Sequence, residues 1–301
     1  MATAAPAVPA APAVQLPKPG GTTPARILRF VANAPVHLLL AFVGALWLVP
    51  TFGLFLTSIL PASAISSKGW WQIFSKPSLA TFSNYHALLH NQGLITALKT
   101  TVYIAVGNTL IVIVLAAMAG YAFAWLEFPG RDWLFIGVIA LLVVPLQMAL
   151  IPMFKVYDTF HLFDTVLGIV LFHVAFGLPF AIFLLRNFFA GIPKDILESA
   201  RIDGANEFWI FLRLILPLGL PAIASLAIFQ FLWTWNDLLV ALIFGQNTRP
   251  ITVWIAGQLR EFGSSIDVIA PASFLSLIVP LVVFFAFQRY FVQGLLAGSV
   301  K

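Results

Sequence analysis

The chain has no cysteine, which excludes a disulfide framework, a thiolate nucleophile and a Cys-type metal site and leaves redox chemistry silent about compartment. Charge is scarce as well. Asp, Glu, Lys and Arg make up 9% of the 301 residues, against roughly 25% in a soluble domain. With 61% hydrophobic residues and a mean hydropathy of +0.99, the composition is that of an integral membrane protein. No G-x-x-x-x-G-K followed by Ser or Thr occurs, so the chain lacks the phosphate-cradling loop needed to bind ATP in the usual way. It also lacks H-E-x-x-H, G-x-S-x-G and a pair of carboxylates within one apolar run, so no catalytic or metal-binding set converges. The net charge of +5 sits on basic residues scattered around apolar runs, which suits lipid headgroups and not nucleic acid.

What is present is a succession of long apolar runs behind a distinctive tail. Residues 1–25 are rich in Ala and Pro, and six prolines interrupt every helix they could form, so a disordered cytoplasmic tail is expected there. Runs of about 20 apolar residues cross a bilayer, and six are expected, near 36–60, 100–126, 133–154, 165–185, 214–244 and 270–291. Residues 61–98 read as a polar, aromatic-bearing external loop. Arg26 and Arg29 ahead of the first run favour an internal N-terminus. On that topology both termini are cytoplasmic, and ten of the 16 Lys and Arg residues fall inside, a modest bias of the right sign. Prolines at 145, 152, 179 and 280 break or kink these runs, as they do where neighbours or a cavity satisfy the freed carbonyls.

Only residues 193–213 carry charges at helical spacing: Lys194, Asp195, Glu198, Arg201, Asp203, Glu207 and Arg213. Pro193 and Asp195 suit a helix start. Gly204 suits its left-handed end, and a second amphipathic segment follows from Ala205 to Leu216. Two short helices with a glycine elbow are expected, with Ala200, Gly204 and Ala205 small enough for another protein to approach closely.

The set Glu198, Ser199, Ala200, then Asp203, Gly204 and Ala205, with Phe211, Leu216 and Pro217, resembles the coupling motif of binding-protein-dependent ABC importer permeases. Its one departure is Ser199, small like the alanine it replaces. Similarity to the carbohydrate branch of that family extends over about 35–301: Gly120-Tyr121-Ala122, Pro145 and Pro152, Arg186 with Phe188-Phe189, Ile192-Pro193, Trp235-Asn236-Asp237, Gly294 and Gly298. Within the branch it is most similar to the smaller permease of maltose-type heterodimers. The resemblance implies an all-α membrane protein of the type I importer permease fold, with six transmembrane helices and cytoplasmic coupling helices, in the bacterial inner membrane. It further implies a second permease subunit, two ATPase subunits that bind ATP and Mg, an external solute-binding protein, and a C-terminus at 297–301 reaching the ATPase interface. The chain itself would bind no cofactor and catalyse no reaction.

Asp237 is the one carboxylate inside an expected span. Such a charge must face protein or water, and Trp233, Trp235 and Asn236 beside it could stack on and hydrogen-bond a sugar. The same residue near the outer end of its span could equally reach interfacial water. Gln147 and Met148, between the prolines of the third span, are weaker lining candidates. His173, with no acidic neighbour at helical spacing, reads as a hydrogen-bonded packing residue. An ion-coupled secondary carrier would want several embedded ionisable groups and a repeat of two halves, and neither is present. Apart from Arg289 near the end of the last, the expected spans hold no Arg or Lys, which disfavours glycerol 3-phosphate or another polyol phosphate relative to a neutral sugar of the α-glucoside kind.

Overall fold

The computed structural model describes residues 34–261 and 265–297; the tail at 1–25 and the last residues, 298–301, lie outside them. In chain order the helices are α1 (Ala34–Ser58), α2 (Ala62–Lys68), α3 (Gln72–Ser75), α4 (Ser83–Leu89), α5 (Gln92–Trp125), α6 (Arg131–Leu141), α7 (Leu146–Thr159) and α8 (Val166–Ala190). There follow α9 (Lys194–Ile202), α10 (Glu207–Ile210), α11 (Leu216–Leu218), α12 (Leu220–Trp235), α13 (Leu239–Phe244), α14 (Ile251–Glu261) and α15 (Ile266–Ala297). No strand occurs among the described residues.

Two compact units divide the chain, Met1–Phe52 and Gly53–Lys301. The described part of the first is the start of α1, apolar and exposed along its length, Trp47 at 79%. The second is built on α5, α8, α12 and α15. Among the described residues four helices, α1, α5, α8 and α15, are each long and apolar enough to cross a membrane, and two bent pairs raise the number to six if each is one span.

The bent pairs are where the structure departs most from the expected spans. The run 133–154 is two helices, α6 and α7, meeting at 101°. Pro145 has no N–H to continue α6, and in an extended conformation (ψ 131°) it caps α7 instead. The run 214–244 is likewise interrupted: α10–α11 meets α12 at 73° around Gly219, with a π-turn over Phe211–Ile215, and α12 ends at Trp235 before the separate α13. Elsewhere helices outrun the expected limits. Asn91 caps α5 by accepting from the Leu94 N–H at 3.1 Å, so this helix starts at Gln92, not Thr100. At 1.5 Å per residue its 34 residues reach about 50 Å, beyond a ~30 Å hydrocarbon core. The expected external loop contains α2, α3 and α4, with Trp70 stacked edge-on to Trp71 and Phe74. Helix α14 was not foreseen at all; Ile251 and Val253 are buried, and the Ile251 N–H donates to Thr101 Oγ1 of α5 at 2.7 Å.

Small residues let the long helices approach. Ala105, Ala116 and Ala117 of α5 are buried with Ile169, Phe172, Ala181 and Leu185 of α8 and Leu226 of α12, the small-residue packing that membrane helices favour. At Gly120 the approach is closest: a Cβ there would stand 3.0 Å from the backbone nitrogen of Arg186. At the far end of α8 two loops are tied by Asp164, whose carboxylate accepts the N–H groups of Asn247 and Thr248, both at 2.7 Å, and the Asn247 amide. Partial burial raises the carboxyl, but these bonds outweigh it and hold Asp164 below the usual carboxylate range.

Gly120→Val therefore forces backbone apart and should destabilise by about 1–3 kcal/mol, the usual cost of overpacking. Gly137→Ala, where nothing lies within 4 Å of the added carbon, should change little. Thermal unfolding of the two variants in detergent-solubilised membranes checks the contrast.

Candidate functional site

The charged segment folds as a helical elbow. Asp195 lies in the first turn of α9, and apolar Leu197 points inward at 0% exposure while its neighbours face out. Helix α9 closes with two reciprocal bonds, Gly204 N–H to Arg201 O and Ala205 N–H to Ala200 O, both 3.0 Å, around Gly204 at φ +83°. This is the Schellman closure, and glycine is there because only it takes that conformation without cost. The side chain of Asn206 then accepts from the Trp209 N–H at 2.9 Å and starts α10.

On the outer face of the elbow Glu198, Ser199, Asp203, Gly204 and Pro217 are exposed, while Ala200, Ala205 and Phe211 are half-buried beneath them. Glu198 pairs with Lys194 at 2.8 Å; that hydrogen bond and charge hold its carboxyl below the ordinary range and push the lysine up. Ser199 donates to Asp195 O at 2.8 Å and so spends its hydroxyl on its own helix. The surface presented outward is anchored from below by Leu197, with Ile202 and Phe208 also exposed beside it.

The second expected site lies at a break and not inside a span. Asp237 falls between α12 and α13, where its carboxylate accepts the N–H groups of Val240 at 3.3 Å and Ala241 at 3.1 Å. Its side chain caps α13 from the position before the N-cap residue Leu238. The acidic neighbour that sequence spacing did not reveal for His173 is this residue: Nε2 of the buried His173 stands 3.6 Å from Asp237 Oδ2. The other ring nitrogen, Nδ1, faces Ile169 O at 2.8 Å; a carbonyl only accepts, so Nδ1 carries a proton. Trp233 covers the imidazole edge-on at 5.1 Å.

The Trp-Asn-Asp run does not act as one surface. Trp235 is in the core, 1% exposed, its indole N–H donating to Ser276 O at 3.1 Å, whereas Trp233 and Asn236 are exposed. Gln147 and Met148 lie exposed on the first turn of α7, just beyond the Pro145 break. Among the described residues no group of three or more His, Asp or Glu could hold a metal.

Comparison with known proteins places these features in context. Residues 112–296 match the family model described as binding-protein-dependent transport system inner membrane component. The chain is similar to the osmoprotective compounds uptake permease protein of Synechocystis, 46% identical over 92% of this chain and 95% of that protein. It is similar also to the alpha-glucoside transport system permease protein of Rhizobium meliloti, 49% identical over 75% of this chain and 61% of that one. A trehalose transport system permease protein of Mycobacterium tuberculosis is 34% identical over 84% and 91%. Among solved structures, a bacterial ABC transporter involved in import of the acidic polysaccharide alginate superposes with a TM-score of 0.72 at 24% identity, covering 91% of this chain and all of that one, a likeness of fold.

Asp237→Ala removes the cap of α13 and leaves His173 without its counterpart, a loss of about 1–2 kcal/mol by the usual cost of an N-cap. Asp237→Asn keeps one acceptor and should lose less than half as much. Thermal midpoints of the two variants, compared in one detergent, check the order.

Proposed function

Since this chain belongs to the family of binding-protein-dependent transport system inner membrane components, we propose that it is one of two permease subunits of an ATP-driven importer for a neutral, α-glucoside-like sugar or oligosaccharide. The family makes it a non-catalytic transport subunit of the membrane. The observation that carries the proposal is the glycine elbow: an exposed, charged helical turn closed at Gly204 and anchored by Leu197, in a chain with no phosphate loop of its own. In this reading Glu198, Ser199, Ala200, Asp203, Gly204, Ala205, Phe211 and Pro217 form the docking surface for an ATPase subunit. ATP and Mg are bound by the ATPase pair, and a solute-binding protein delivers the sugar from outside.

The substrate class rests on two supports. The alpha-glucoside relative is 49% identical over three quarters of this chain. The Arg and Lys residues of the long helices, Lys99, Arg186 and Arg289 among them, stand toward helix ends and not midway, which weighs against a buried phosphate dianion such as glycerol 3-phosphate. We place Trp233, Asn236, Gln147 and Met148 along the translocation path, with Asp237 shaping the break behind them and Trp235 supporting it from the core. Both termini lie on the ATPase side of the inner membrane in this assignment.

ATPase activity of the four-subunit assembly in lipid, with the binding protein loaded in turn with α-glucosides, arabino-oligosaccharides and glycerol 3-phosphate, tests the whole reading. Stimulation by an α-glucoside is expected. Stimulation by the phosphate alone would move the substrate class. A second expectation concerns the elbow. No atom lies within 4 Å of a Cβ built on Gly204, and Asp tolerates the left-handed region at a cost of about 1 kcal/mol. Gly204→Asp should therefore stay folded in the membrane while uptake falls at least tenfold and the ATPase ceases to respond to binding protein; intact uptake would contradict the docking assignment.

A further inference from the structure

The elbow is fastened to the bundle at a point that the coupling motif does not include. Glu207 opens α10, and Arg201 belongs to α9 on the other side of Gly204. The Glu207 carboxylate receives both arms of that guanidinium, Nε to Oε1 at 2.8 Å and Nη2 to Oε2 at 3.3 Å, so one ion pair spans the elbow. The same Oε2 accepts the phenol O–H of Tyr121, which lies near the end of α5 at 5% exposure, its ring 5.3 Å from that of Phe211. Both sides of the elbow and a membrane helix thus meet at one carboxylate. One turn further on, the Trp125 indole N–H donates to Phe189 O at 3.0 Å, and Gly120 brings α5 against Arg186, so the end of α5 is locked to that of α8.

We propose that Tyr121 is a positioning residue for energy coupling: its hydroxyl, held by the Glu207–Arg201 pair, makes the elbow and the end of α5 move as one body. The inference rests on the importer reading above. Hydrogen bonds to a charged acceptor are the strong ones, and this one crosses between elements with no backbone connection at that point. Without it the elbow can shift under an ATPase subunit while α5 stays behind. Tyr121→Phe deletes the hydroxyl and keeps the ring against Phe211, and the carboxylate remains satisfied by Arg201.

The experiment compares wild type and Tyr121→Phe importers in proteoliposomes, measuring ATP hydrolysed per sugar imported. A several-fold rise in that ratio at unchanged assembly is expected, with Glu207→Gln moving it the same way and the double variant no worse than the worse single one. An unchanged ratio, including a proportional fall of both rates, overturns the proposal, and so does loss of the assembled complex in Tyr121→Phe, which would assign the hydroxyl to folding. If the wild type itself shows no stimulation by binding protein, the importer reading fails. The clamp is then read by spin labels at Asp195→Cys and Glu127→Cys, both exposed sites in a chain without native cysteine. Broadening of the inter-label distances by Tyr121→Phe supports it, and an unchanged distribution overturns it.

Discussion

The contact of α5 with α8 at Gly120 governs the coupling end of the molecule. With the Arg186 nitrogen 3.0 Å from where a Cβ would stand, the two helices approach so closely here that no side chain fits between them. Trp125 and Tyr121 follow within five residues, one bonded to the end of α8 and the other to the elbow. The elbow's position is therefore an outcome of helix packing more than of its own sequence. Its own sequence supplies the closure at Gly204 and the buried anchor Leu197. If the elbow docks an ATPase subunit, as proposed above, it has to be stiff locally and joined firmly to what it moves, and the two requirements fall on different residues.

A second constraint is that hydrocarbon offers no partner to an exposed backbone group. The breaks on either side of α12 are accordingly patched from within. The hydroxyl of Ser225 returns to Pro221 O at 2.8 Å just after the 73° bend, Asp237 caps α13, and Thr252 of α14 donates to the Asp237 carbonyl. Asn108 of α5 donates to Thr234 of α12 at 2.6 Å near the end of that helix. These bonds let α12 stop and α13 start again, and they hold α14 against α5, where Ile251 meets Thr101.

Much of this was legible in the residues. Apolar runs of the right length located the long helices, because bilayer thickness fixes length and composition together. The elbow was legible in detail, since Gly204 and the small residues around it answer to local backbone chemistry. The breaks were only half legible. Pro145 was visible as a breaker, but whether proline kinks a helix or ends it depends on what its neighbours pack against, and here the outcome was a 101° turn. Helix α14 was missed because its apolar content is too short and too mixed to read as a span. The pairing of His173 with Asp237, and of Tyr121 with Glu207, was invisible because the partners are 64 and 86 residues apart, joined only by the way three helices pack.

The same accounting bears on where substrate choice resides. A carboxylate offers about four acceptor sites. Two at Asp237 are taken by the N–H groups of its own helix, and His173 stands at one side. The amide N–H of Asn236 is turned back onto Leu232 O at 2.7 Å. On the proposed path Trp233, already packed against His173, and the carbonyl of the Asn236 amide would be left to meet a sugar, too few directed contacts to tell one pyranose from another. Discrimination between similar sugars requires several directed polar contacts, because a shared apolar face separates them weakly. Under the importer proposal, selection among similar sugars therefore falls to the binding protein and the second permease and not to these residues.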